Sequence, residues 1–110
     1  MEEILALAKQ LGTAIAGHET CTAFRTAAEA LGTDAEASRL QQEYSTVAQE
    51  MHEKTAAGEA LEPELKRKEQ DLREQVAVHP TIRSFLLAQG EFEKMMTAIN
   101  QAVEGAIGAN

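Results

Sequence analysis

From Pro80 onward the apolar positions keep one rhythm. Ile82, Phe85, Phe92, Met96, Ile99, Val103 and Ile107 follow one another at steps of three, four or seven, the spacing that lines one face of a helix. Pro80 suits the first turn, where its fixed φ is already helical and its missing N–H has no intrahelical partner to lose. At 1.5 Å per residue the segment 80–107 makes a helix of roughly 40 Å. A stripe of that length requires shorter helices laid against it, and the rest of the chain supplies four.

Ile4, Ala8, Leu11 and Ile15 predict a helix over 2–16, with Glu2 and Glu3 where a helix N-terminus favours negative charge. Cys21, Phe24, Ala28 and Leu31 form the stripe of a second helix over 18–31. Gly32 is expected to cap it, and Thr33-Asp34 to open the next. Over 35–57, Ala37, Leu40, Tyr44, Val47 and Met51 step by three and four, an a/d pattern that favours a shallow crossing against a partner helix. Pro63 opens a fourth segment, 63–78, with Leu65, Leu72 and Val76 as its stripe. Lys68 or Glu69 stands there where another apolar residue belongs. His79 before Pro80 breaks it, since a residue preceding proline avoids the α region. Segments 35–57 and 63–78 are joined by a short turn and form an antiparallel hairpin.

The expected fold is an all-α bundle of about five helices in one domain, residues 1–110, with a hairpin and a long C-terminal helix. Composition agrees. Of the 110 residues 20 are Ala, with two prolines and few β-branched runs, a balance that favours packed helices over a sheet. The last stripe is doubled at Phe85-Leu86-Leu87 and Met95-Met96, so it is wider than one neighbour covers. Phe85, Phe92, Met95, Met96, Ile99 and Val103 are therefore candidates for core or self-association, with a homodimer expected.

Charge narrows the partners. The formal net charge is −8, a field that repels phosphate, so direct nucleic-acid binding is not expected. Residues 1–62 carry 11 acidic and 4 basic side chains, residues 63–110 carry 7 and 6. Lys66, Arg67, Lys68 and Arg73 form the basic cluster. Glu64–Lys68 and Glu69–Arg73 have the favourable i, i+4 orientation, so the cluster reads first as a self-paired solvated face, and second as a docking patch for an acidic partner. The single Cys suits a reducing compartment. No basic leader or run of about 20 apolar residues is present, so the expected location is the cytoplasm, with no membrane contact.

The residues offer little chemistry. His18 and Cys21 share a helix face at i, i+3, but a zinc site takes three or four ligands, and no Glu-x-x-His pair of the di-iron bundles occurs. Cys21 lacks an oriented base backed by a third group. Glu91 and Glu93 lie on opposite sides of a helix and read as solvated charge. No catalytic residue, metal or cofactor is expected.

Several pieces in order resemble the YlbF/YmcA family of small bacterial helical proteins, nearest its shorter YheA-like branch. They are IxxxAxxLGxAI (Ile4 to Ile15), FxxAxxxL (Phe24 to Leu31), Asp34, LxxxYxxV (Leu40 to Val47), the turn Gly58-Glu59-Ala60-Leu61, and HPxIxxFLxAQxxFxxMMxxIN (His79 to Asn100). The resemblance implies a self-associating helical bundle and a regulatory rather than enzymatic role. Better-studied relatives affect competence, sporulation and biofilm formation and are linked to a ribonuclease that processes messenger RNA. It also suggests a family paralogue or such a ribonuclease as partner. The cysteine-rich tail and iron–sulfur cluster of some longer relatives do not carry over to a chain whose only cysteine is Cys21. Two alternatives stand beside the adaptor reading: a bundle that binds a small apolar ligand, with Tyr44 and His52 as polar handles, and a holdase-like chaperone.

Overall fold

The computed structural model describes residues 1–108. Five helices follow in order: α1 (Glu2–Gly17), α2 (Glu19–Thr33), α3 (Ala35–Ala56), α4 (Pro63–Val78) and α5 (Pro80–Gly108). No strand occurs among the described residues. The all-α expectation and its five segments hold, with boundaries shifted by one or two residues. Gly32 does not cap α2; the helix runs on to Thr33.

Three of the four junctions consist of one non-helical residue, and two of these cap with a side chain. His18 is extended (ψ 144°), and its Nδ1 accepts the N–H of Thr20 at 3.1 Å. Asp34 is extended too, and its Oδ1 accepts the N–H of Ala37 at 3.0 Å, the capping expected of an aspartate ahead of a helix. His79 is held extended (ψ 121°) by the proline that follows it.

The fourth junction, the hairpin turn, needs a glycine. Gly58 has φ 76°, the one positive φ among the described residues. The Glu59 N–H reaches the Lys54 carbonyl at 2.9 Å and the Gly58 N–H reaches that of Thr55 at 3.1 Å. This double bond pattern closes a helix only when the residue after the C-cap is left-handed.

Contacts divide the chain into two units. The first, residues 29–84, contains the end of α2, all of α3 and α4, and the first turn of α5. Here α3 and α4 pack along their length as the expected antiparallel hairpin. Asp34 lies beside His79 at one end, and Tyr44 bonds Glu69 further along. Its core is Ala37, Leu40, Val47, Leu72 and Ile82, with Leu31, Tyr44, Met51, Leu65 and Val76 packed around it. Ile82 is fully enclosed; burying such a side chain contributes about 1.5–3 kcal/mol.

The second unit, residues 1–28 with the chain from Phe85 onward, is differently made. None of its described residues is buried. The ring of Phe24 lies 5.6 Å from that of Phe85 and 5.1 Å from that of Phe92, within the range of favourable aromatic pairs. The Arg25 guanidinium donates to the Ala16 carbonyl at 2.6 Å. Beyond these ties the apolar stripes stay open. Ile4, Leu7, Leu87 and Ile107 are each more than 60% exposed. The expectation that the shorter helices would cover the whole α5 stripe is therefore corrected: residues 101–108 are exposed throughout. A stripe in sequence specifies a surface that prefers cover, not which chain provides it.

Candidate interaction surface

The six apolar candidates lie in the second unit. Phe85, Phe92, Met95, Met96 and Ile99 are half-buried, and Val103 is exposed. The two phenylalanines meet at Phe24, a residue read in sequence only as part of its own helix's stripe. α1 adds Ile4, Leu5, Leu7 and Leu11, all exposed. Leu5 and Leu7 lay outside the predicted stripe. Their signal was the density of apolar residues in ILALAKQL, more than one stripe on a covered helix would hold.

The basic cluster separates into two parts. Arg73 reaches both carboxylate oxygens of Glu69, at 3.1 and 2.6 Å, and Glu69 also accepts the Tyr44 hydroxyl at 3.2 Å. This answers the missing apolar position on α4. Glu69 is tolerated at the hairpin seam because two donors satisfy it. Arg73 first, and then the Tyr44 hydroxyl, hold its carboxyl below the ordinary glutamate value, while Glu69 raises Arg73. Lys66, Arg67 and Lys68 are exposed on the first two turns of α4. Of the two i, i+4 pairs expected there, Glu69–Arg73 forms, and Glu64–Lys68 is not among the ion pairs of the described residues.

A further polar group joins the ends of three helices in the first unit. Asp34 caps α3 with one oxygen, and with the other it accepts the Thr81 hydroxyl at 2.8 Å. The Ala37 N–H first, then the Thr81 hydroxyl, keep its carboxyl below the usual aspartate value, and His79 adds to the effect. The His79 Nε2 stands 3.9 Å from Asp34 and 4.0 Å from Glu36. These distances are too long for hydrogen bonds but short enough for electrostatic attraction. Its Nδ1 is buried without a partner. The cap at Asp34 was legible in the sequence; its tie to Thr81, 47 residues away, was not.

His18 and Cys21 do not converge. The imidazole caps α2, and the Cys21 sulfur lies 3.6 Å from Arg25. Among the described residues no group of three or more His, Cys, Asp or Glu side chains is arranged to hold a metal ion. Tyr44 is engaged with Glu69, and His52 lies on an exposed position of α3. No described helix is long and apolar enough to cross a membrane.

What these helices offer is surface rather than an enclosed site, and proteins of known sequence and structure share the arrangement. A UPF0342 protein of Desulfitobacterium hafniense (strain Y51) is 30% identical over 105 residues, covering 96% of this chain and 80% of that protein. A chain in the crystal structure of Bacillus subtilis RicA in complex with RicF matches with a TM-score of 0.84. The match covers 97% of this chain and 95% of that one at 20% identity. A protein of unknown function (DUF964) from Bacillus stearothermophilus matches with a TM-score of 0.70 and the same identity, covering 96% and 93%. At that identity both structures speak to the fold. The family model described as control of competence regulator ComK, YlbF/YmcA, matches residues 4–108, and the chain belongs to the YlbF/YmcA family.

Proposed function

We propose that this protein is a non-enzymatic regulatory adaptor of the bacterial cytoplasm that works by binding other proteins, and that its basic assembly is a homodimer formed through the second unit. The observation that carries this reading is the contrast in cover. The first unit closes a core, whereas the second buries none of its described residues and leaves Ile4, Leu7, Leu87 and Ile107 largely exposed. Large apolar side chains left in water are what a partner surface would cover. Charge supports the same surface. Residues 1–28 and 85–110 hold 9 charged side chains among 54, against 19 among 56 in residues 29–84. Depletion of charge is the mark of the centre of a protein–protein interface.

A regulatory remit in competence is supported by the family description, control of competence regulator ComK; the wider remit in sporulation, biofilm formation or messenger-RNA processing is what the family resemblance implies. A paralogue of the same family is the next candidate occupant, since RicA is found in complex with RicF. A ribonuclease would be the client of the assembled adaptor.

Sedimentation equilibrium over a wide concentration range tests the reading. The expected result is a dimer that dissociates on dilution, and a Leu7→Glu variant that is monomeric with its helical circular dichroism intact. A wild-type chain that stays monomeric at every concentration, and does not bind a second family member when mixed with it, sinks the proposal.

A further inference from the structure

Among the described helices α1 is the least covered. Every residue from Met1 to Ala14 is exposed. Cover begins at Ile15, which is half-buried, and at Ala16, whose carbonyl accepts the Arg25 guanidinium at 2.6 Å. The open part is nonetheless shaped like a core-facing helix. With 3.6 residues per turn, Leu7 and Leu5 stand about 60° and 100° to either side of Ile4, with Leu11 and Ala8 between them. An apolar arc of about 160° is at least as broad as the stripe with which a surface helix faces a core. On the first three turns of α1 that arc faces water.

Such a helix is weakly supported. At 16 residues it has the length at which an isolated helix is marginal in water even when rich in alanine. Helices in proteins owe most of their order to the packing of an apolar face, and this face is unpacked within its own chain.

α5 presents the complement. Leu86, Leu87, Val103 and Ile107 are 47–70% exposed along it. Each copy thus carries an apolar helix without a seat and an apolar stripe without an occupant. Charge favours joining one to the other across two copies. Residues 4–17 hold a single charged side chain, Lys9, and residues 95–108 a single one of opposite sign, Glu104. Neither has an ion-pair partner among the described residues. Packing α1 on α1, or α5 on α5, would set like charges in the same seam, whereas α1 on α5 sets unlike ones.

Resting on the dimer proposed above, we infer that α1 is an exchanged arm: it seats on the α5 stripe of a second copy, and its helical order depends on that seat. Association then fixes the arm, and dissociation loosens it while the α3–α4 hairpin keeps its core.

Two measurements on the full chain test the inference. Hydrogen exchange read by mass spectrometry, below and above the concentration at which the protein dimerises, reports the order of the arm. Amides of residues 5–14 should exchange at least about tenfold faster in the dilute protein, with those of α3 and α4 equally protected in both. Complementation reports the seat. Ala8→Pro breaks α1, and the double variant Leu87→Glu, Ile107→Glu spoils the stripe. All three positions are exposed, so urea unfolding of the hairpin should be unchanged. Each variant alone should lose about a hundredfold or more in dimer affinity. An equimolar mixture should recover a 1:1 complex, because the intact arm of one chain still meets the intact stripe of the other. Arm amides equally protected at every concentration overturn the inference, as does a mixture that stays monomeric; the wild-type dimer then stands without an exchanged arm. A wild-type chain that never dimerises removes the dimer itself, and the inference with it.

Discussion

Residues 29–84 and the two segments that make up the second unit, 1–28 and 85–108, are built from the same material, amphipathic helices. In the first unit the stripes of α3 and α4 face each other, and Ala37, Leu40, Val47, Leu72 and Ile82 leave water almost completely. In the second, the stripes of α1 and α5 close no such core: Phe85, Phe92, Met95, Met96 and Ile99 are only half-buried, and Ile4, Leu5, Leu7, Leu87 and Ile107 remain more than half in solvent. The difference does not lie in helix propensity or capping, which are comparable. It lies in the turn. A Schellman-type closure at Gly58 folds α3 back on α4 within one chain, whereas α1 and the far end of α5 are separated in sequence and have no such device. A stripe with a hairpin partner becomes core; a stripe without one stays open.

The most damaging test of that contrast is truncation within the hairpin core. Ile82→Ala should lower unfolding free energy by about 2–5 kcal/mol, read by urea denaturation, with oligomeric state unchanged. A loss under about 1 kcal/mol would mean that the first unit is not the stable one. Gly58→Ala comes next. Nothing crowds the added methyl group, so the strain of a left-handed non-glycine residue stands alone, at about 1–2 kcal/mol. If the variant is as stable as the wild type, the turn is not what holds α3 against α4.

A smaller effect should appear at Asp34. Its carboxyl is held below its unfolded value by the Ala37 N–H and then the Thr81 hydroxyl. The stability it contributes is thus fully present above the unfolded value and is lost as pH falls through the folded one. Asn also caps helices, so Asp34→Asn isolates the charge. Its melting temperature should lie below wild type at neutral pH, and the two should converge in acid. A gap that does not change with pH would show that the carboxylate's charge plays no part.

The smallest effect is expected where the same kind of truncation is made in the second unit. Ile107→Ala should shift the stability of the dilute protein by no more than about 0.5 kcal/mol, while weakening association at high concentration. A large loss in dilute solution would erase the distinction between the units.

Much of this was readable from the chain. The five segments, the hairpin, the cap at Asp34 and the break at His79-Pro80 follow from periodicity, proline geometry and turn chemistry, all of which act over a few residues. Glu69 illustrates the limit. Its place among apolar positions looked like a gap in the stripe, and only packing brought Tyr44 and Arg73 to satisfy it. The pairing of Glu64 with Lys68 had the right spacing and did not form, because an exposed ion pair gains too little to fix two long side chains.

By itself, then, the sequence determined where each helix runs and which face of it is apolar, since those properties are set by neighbours three or four residues away. Tertiary structure decided which apolar faces become core. That outcome depends on which stripes the chain can bring together, and it left Leu40 and Ile82 dry while Ile4, Leu7 and Ile107 stayed wet. It also drew Thr81 to Asp34 across 47 residues, a contact with no periodic signature.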